Sequence, residues 1–184
     1  MDMEKGPLLK DMLFSTPLLK VLDFLLQHPE ITLIDTEIAG RLETVRKSAV
    51  NLALRRLAHL GIIRRTHRGR MVFNSLIESA LTSQLKVTSN LLAIQDLVGK
   101  LSPLSAKIVL FGSRADGTHT SESDFDMLAV TTDEGAARKI VQKHPLADKI
   151  QLLVKAPEQI LTLEKDEPVL SEQIRKGIVL WERE

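Results

Sequence analysis

Residues 107–130 read KIVLFGSRADGTHTSESDFDMLAV, and the fold of the second half of the chain turns on them. KIVLF is a short apolar run of β character, and Gly112 and Ser113 follow at once. Asp124 to Val130 then read as a second strand that opens with two acids around one apolar residue. In a strand, residues i and i+2 point to the same face, so Asp124 and Asp126 are expected to project together, roughly 6.5–7 Å apart at Cα. Two convergent carboxylates are hard oxygen ligands suited to Mg²⁺ or Mn²⁺. A pair of such ions about 3.5–4 Å apart can activate an attacking oxygen and stabilise a leaving pyrophosphate. Gly112 permits a tight turn and lets backbone N–H groups approach a phosphate. Ser113 adds a hydroxyl, and a helix starting there would favour an anion. Arg114 either adds positive charge to the site or faces solvent.

The combination VLFGSRADG…SDFDMLAV resembles the nucleotidyltransferase superfamily that includes DNA polymerase β, and within it the minimal nucleotidyltransferases. Their motif is a hydrophobic residue, Gly, Gly or Ser, a gap of about ten residues, then Asp-hydrophobic-Asp/Glu-hydrophobic. Here Phe111, Gly112, Ser113, Asp124, Phe125, Asp126 and Met127 supply the anchors, with residues 114–123 as the gap. The resemblance covers roughly residues 85–184. It implies transfer of a nucleoside monophosphate from an NTP to a protein or other hydroxyl acceptor. It implies Asp124 and Asp126 as catalytic, metal-binding residues and Gly112 and Ser113 as nucleotide-binding ones; Arg114, by its charge, is a further nucleotide-binding candidate. It also implies a HEPN-type protein as a partner in a toxin–antitoxin arrangement.

The family places a third carboxylate on a later strand facing the first two. KIQLLVKAP (149–157) is the candidate strand, and the matching position is Gln151, a neutral oxygen ligand and a poor base. Asp148 lies three residues earlier and points to the other face of a regular strand, so it could substitute only from a loop or after a bulge. Either the register is displaced or the site lacks its third acid. The segments EGAARKIVQKH and PEQILTLEK read as helices. EPVLSEQIRKGIVLWERE reads as a helix, Gly177 and a short apolar end, similar to the closing helix and strand of the family; Trp181 is expected to pack.

The first half has a different pattern. Thr16 can cap a helix with Pro17 at its first position, and PLLKVLDFLLQH has helical apolar spacing up to His28-Pro29. Asp35 is expected to cap a short helix, TEIAGRL. A longer helix, VRKSAVNLALRRLAHL, stops at Gly61, with Val50, Ala53, Leu54, Leu57 and Leu60 as its core face. IIRR and MVFN around THRGR read as a hairpin. Helix, short helix, longer helix, hairpin resembles a winged helix-turn-helix domain over roughly residues 12–74. In such domains the third helix meets base edges and the wing meets phosphates. Arg46, Lys47, Ser48, Asn51 and Arg55 are the helix candidates for DNA binding, and His67, Arg68 and Arg70 the wing candidates, with Arg64 and Arg65 in addition. Arg matches guanine and Asn matches adenine bidentately.

Charge supports this division. Residues 1–74 carry twelve Lys and Arg against eight acids, while residues 75–184 carry thirteen against sixteen. Residues 41–70 hold nine basic side chains and one acid, Glu43, a block that suits a polyanion or else a solvated helix face. Residues 75–101 read as one or two connecting helices, with apolar surplus for core or for a dimer surface. The expected fold class is α+β in two domains: a winged helix-turn-helix at 1–74, a helical connector at 75–101, and a nucleotidyltransferase-type mixed β-sheet flanked by helices at 102–184.

With 43% hydrophobic but only 3% aromatic residues, the cores must be aliphatic. No apolar run spans a bilayer, and the mixed charges of MDMEKGPLLKDM argue against a signal peptide. The absence of cysteine excludes disulfides and thiolate metal sites and fits a cytoplasmic protein. His28, His59, His119 and His144 have no partners at metal-ligand spacing, although His119 sits in the loop after Gly-Ser. Two functions are expected: an Mg²⁺-dependent nucleotidyltransferase joined to a DNA-binding module, or a homodimeric winged-helix regulator whose second domain only binds nucleotide or a partner protein.

Overall fold

The computed structural model describes residues 9–183. Residues 1–8, which carry most of the reading against a signal peptide, lie outside the described residues. The chain forms two compact units, Met1–Leu92 and Ala93–Glu184.

The first unit contains α1 (Leu9–Leu13), α2 (Pro17–Gln27), β1 (Leu33–Ile34), α3 (Asp35–Arg41), α4 (Lys47–His59), β2 (Ile63–Arg68) and β3 (Met71–Leu76). The first turns of α5 (Ala80–Leu101) complete it. The Thr16 hydroxyl accepts the Leu19 N–H at 3.3 Å, so the cap read from the sequence forms. Val21, Leu22, Leu25 and Leu26 of α2 are buried with Val50, Ala53, Leu54 and Leu57 of α4. Leu60 departs from the expectation: it is the C-terminal cap of α4 and 64% exposed. The helix stops at Gly61 (φ +73°), where Ile62 N–H returns to Leu57 O at 3.0 Å. The strands of the hairpin are longer than expected and leave only Gly69 and Arg70 between them, with Gly69 at φ +60°. His67 and Arg68 therefore belong to β2 and not to the turn. Two elements carried too little pattern to be read: α1, and the two-residue β1, which pairs with β3.

Asp35 is not the cap of α3. It is the first helical residue, and Glu37 instead accepts the Ile34 N–H at 2.9 Å. The Asp35 carboxylate accepts from Asn51 at 2.5 Å and from Asn74 at 2.8 Å, and both of its oxygens accept from Arg65 Nη2, at 2.8 and 3.0 Å. A carboxylate offered a guanidinium and two amides is better satisfied than by one backbone donor.

Residues 75–101 form the end of β3 and the single helix α5. Within the first unit Ser89 and Asn90 of α5 are fully buried, and Gln27 of α2 donates to both, at 2.8 and 3.3 Å.

The second unit contains β4 (Lys107–Phe111), α6 (Ser113–Asp116), β5 (Phe125–Val130), α7 (Glu134–Gln142), β6 (Ile150–Lys155), α8 (Pro157–Asp166), α9 (Pro168–Lys176) and β7 (Ile178–Glu182). Its sheet has the order β6-β5-β4-β7, antiparallel except for the β5–β6 pair, which α7 connects. This is the mixed sheet with flanking helices expected from the sequence. Val109, Phe111, Leu128 and Val130 on one face pack against Ile160, Leu170 and Ile174 of α8 and α9. Trp181 sits on the edge strand β7 and is 39% exposed.

Gly177 lets α9 turn directly into β7. A Cβ there would lie 2.5 Å from Leu110 O and 2.8 Å from Val109 Cγ1. Gly177→Ala should therefore destabilise this unit by about 1–3 kcal/mol, read by denaturant unfolding. His144 is buried, and its Nδ1 accepts the Leu146 N–H at 3.2 Å. Burial lowers its pKa; Lys100 adds to this and Asp96 opposes it. The folded state holds neutral His144, and the unfolded chain takes up a proton below about pH 6.5. Stability should be full above that pH and fall as the pH drops through it. His144→Asn, which keeps an acceptor, should flatten the decline in melting temperature between pH 7.5 and 5.5.

Candidate functional site

The sheet register assembles the site. Phe111 at the end of β4 pairs with Asp126 of β5, and Asp126 pairs with Gln151 of β6. Paired residues on neighbouring strands share a face, so the turn after β4, the acid and the glutamine meet at one end of the sheet. Asp124 immediately precedes β5 and is exposed; Asp126 is half-buried. Burial raises the Asp126 pKa, and the nearby Asp124 charge adds to the rise.

Gly112 is bound to this arrangement by contact. Its backbone stands at φ +70°, ψ −160°, a region essentially restricted to glycine. A Cβ there would lie 2.6 Å from Asp126 Oδ2. Ser113 opens α6, a single turn closed by Gly117 at φ +77°.

Arg114 is placed otherwise than the sequence suggests. It is 4% exposed and neither reaches solvent nor lines the cleft beside Asp126. Its Nε and Nη2 donate to Ser123 O at 3.1 and 2.9 Å, and its guanidinium lies 4.2 Å from the centre of the Phe125 ring. Burial lowers its pKa and Asp124 opposes that shift. Arg114 thus ties the loop after α6 to the start of β5. Lys149 holds the same loop through Ser121 O at 3.1 Å. His119 is buried within this loop at 1% exposure, away from the accessible surface where a substrate would meet it.

A cleft of about 670 Å³ opens over Phe111, Gly112, Ser113, Asp126 and Gln151, walled by Leu170 and Gln173 of α9. A smaller one of about 300 Å³ adjoins it over Gly112, Ser113, Asp116 and Thr118, with Gln173 and Lys176. The α9 residues carried no motif; their three-residue spacing places them on one helix face, but only packing reveals what that face covers.

Gln151 is the register partner of Asp126, so a neutral amide stands beside that acid. Asp148 lies in a 3-10 turn, Ala147–Lys149, before β6. Among the described residues no three His, Cys, Asp or Glu side chains gather as a metal site. Two carboxylates and an amide oxygen remain as donors, a hard oxygen set that suits Mg²⁺ or Mn²⁺ but carries less charge than three acids.

In the first unit Arg46 caps α4, and Lys47, Ser48 and Arg55 are exposed beside it. Asn51 is half-buried and donates to Asp35, and Arg65 is ion-paired to the same carboxylate. His67, Arg68 and Arg70 are exposed, with the Arg68 guanidinium 5.4 Å from the centre of the Phe73 ring. A cleft of about 580 Å³ separates Asn51 and Arg55 of α4 from His67 and Arg70 of the hairpin.

Gly112→Ala should cost about 1–3 kcal/mol from backbone strain and displace the Asp126 carboxylate. Titration with Mn²⁺ should raise the melting temperature of the wild-type chain and leave that of Gly112→Ala nearly unchanged.

Comparison with known proteins finds a similarity over the second half of the chain. A family model described as polymerase beta, nucleotidyltransferase matches residues 100–184. No curated protein matches the chain. The segment that carries Gly112, Ser113, Asp124, Asp126 and Gln151 is therefore similar to nucleotidyltransferases. No described helix is long and apolar enough to cross a membrane.

Proposed function

We propose that the second unit transfers a nucleoside monophosphate from an NTP to a hydroxyl acceptor, and that the first unit is a winged helix-turn-helix module that binds DNA. The observation that carries the first part is the contact of the Asp126 carboxylate with Gly112, beside Asp124, within a segment similar to nucleotidyltransferases. In this reading Gly112 and Ser113 receive the phosphates, and Asp124 and Asp126 hold the divalent cation. The cation, when bound, neutralises charge at the reacting phosphate. The acceptor oxygen forms a bond to the α-phosphorus, the α–β phosphoanhydride breaks, and pyrophosphate leaves. Gln151 cannot take the acceptor's proton, so that proton goes to solvent or to a base on the acceptor. A HEPN-type protein encoded beside this chain is the acceptor class that the minimal nucleotidyltransferase resemblance favours.

The neutral Gln151 favours a second reading, in which the site binds metal and nucleotide without turnover and the protein acts as a DNA-binding regulator. The basic exposed set Arg46, Lys47, Arg55, His67, Arg68 and Arg70 supports DNA as the partner of the first unit in both cases. Winged-helix binders of palindromic sites are commonly dimers, which makes a homodimer the expected assembly.

Labelled ATP, GTP, CTP and UTP with Mg²⁺ and candidate acceptors separate the two readings. Transfer by the wild-type chain that is lost by at least about 100-fold in Asp126→Asn supports the enzyme. Absence of transfer with any nucleotide, together with nucleotide binding, supports the regulator. Gln151→Asp should raise Mn²⁺ affinity in either case, and should raise the transfer rate if chemistry occurs. DNA affinity should fall steeply with salt, and Arg68→Ala should reduce the slope of log K against log salt by about one. Affinity that does not respond to salt would remove DNA as the partner.

A further inference from the structure

A nucleoside triphosphate brings about four negative charges to its site at neutral pH, and phosphate sites usually meet them with Arg, Lys or a metal. The arginine nearest the Gly-Ser turn, Arg114, is buried and bonded to Ser123 O. The larger cleft over Asp126 has no Lys or Arg in its lining. The adjoining cleft over Gly112 and Ser113 has one, Lys176, and Gln173 borders both. Gln173 and Lys176 are one turn apart on α9, so they line the space as a pair.

We propose that α9 forms the positive wall of the nucleotide site, with Lys176 receiving the terminal phosphates of the triphosphate and Gln173 donating to them from the same helix face. This rests on the nucleotidyltransferase reading of the second unit. The Lys176 ammonium now pairs with Glu172 at 3.1 Å, with the two side chains 74% and 41% exposed. Glu172 also pairs with Arg175. An exposed pair of this kind holds weakly, because water screens both charges. A triphosphate oxygen can therefore displace Glu172 from Lys176, while Arg175 continues to satisfy the carboxylate. The site then assigns the two ends of the substrate to different elements: the reacting phosphate to Asp124 and Asp126, the terminal phosphates to Ser113, Gln173 and Lys176.

Inorganic tripolyphosphate tests this without a base or sugar to complicate the result. Isothermal titration of the full chain in Mg²⁺ should show binding that Lys176→Ala weakens about tenfold and Lys176→Arg retains. Glu172→Gln, which frees the ammonium, should bind as tightly as wild type or more so. Lys165→Ala, on α8 and lining neither cleft, should be unchanged. Orthophosphate should bind too weakly to distinguish the variants. Equal tripolyphosphate affinity in wild type and in a folded Lys176→Ala overturns the proposal. If Asp126-dependent nucleotide transfer persists alongside that result, only the α9 assignment falls. If neither tripolyphosphate binding nor transfer occurs, the nucleotidyltransferase reading falls with it.

Discussion

The carboxylate of Asp126 rests against the backbone of Gly112 so closely that no side chain fits between them. That single approach fixes the second unit's functional end. β4 must deliver Gly112 beside the start of β5, which sets the antiparallel register Phe111–Asp126. β6 must run parallel to β5, which brings Gln151 to the same end. The apolar side chains below, Val109, Phe111, Leu128 and Val130, hold both strands in place against α8 and α9. Slipping either strand by one residue would turn these side chains to the wrong face and separate the acid from the turn. The core and the site are thus specified by the same register.

Burial gives the charged groups of the site different tasks. Arg114 has given up solvent and closes the loop that positions Asp124, where its attraction to that acid partly offsets the cost of burial. Asp126, partly buried beside another carboxylate, is a place where a cation is favoured over a second negative charge. Lys176 remains exposed and exchangeable. Positive charge that is fixed organises the loop, and positive charge that is mobile stays available to a ligand.

The first unit has its own centre in Asp35. One carboxylate gathers Asn51 from α4, Arg65 from β2 and Asn74 from β3, and so holds α4 and the hairpin at a set distance. Asn74 is fully buried, and its side-chain amide donates to Asp35 and to Leu33 O, bonds whose loss would leave a buried donor unpaired at about 1–3 kcal/mol. The surrounding aliphatic core of α2 and α4 supplies the bulk of the packing, while the polar cluster determines how the exposed basic residues are presented.

Local chemistry made much of this legible. Thr16-Pro17, Gly61 and the apolar spacing of α2 and α4 are signals carried by neighbouring residues, and the elements form where those signals lie. The Gly-Ser turn and the two acids at the opening of β5 are likewise local signals, although the strand begins at Phe125 and holds only Asp126. The pattern of KIQLLVKAP read as a strand, and the family resemblance singled out Gln151 within it; the register sets that residue beside Asp126. What only the tertiary structure decided involves residues far apart in sequence competing for the same partner. Asp35 had a plausible local use as a cap and was drawn instead to Arg65, thirty residues on. Arg114 had a plausible use in solvent or on phosphate and was drawn to Ser123 and Phe125. Gln173 and Lys176 acquired a place beside Gly112 because α9 packs across β4. The sequence determines which residues can form a helix, a strand or a ligand; burial then decides which of their possible partners each one meets, since a charge leaving water must take the best donors that the packed chain brings within reach.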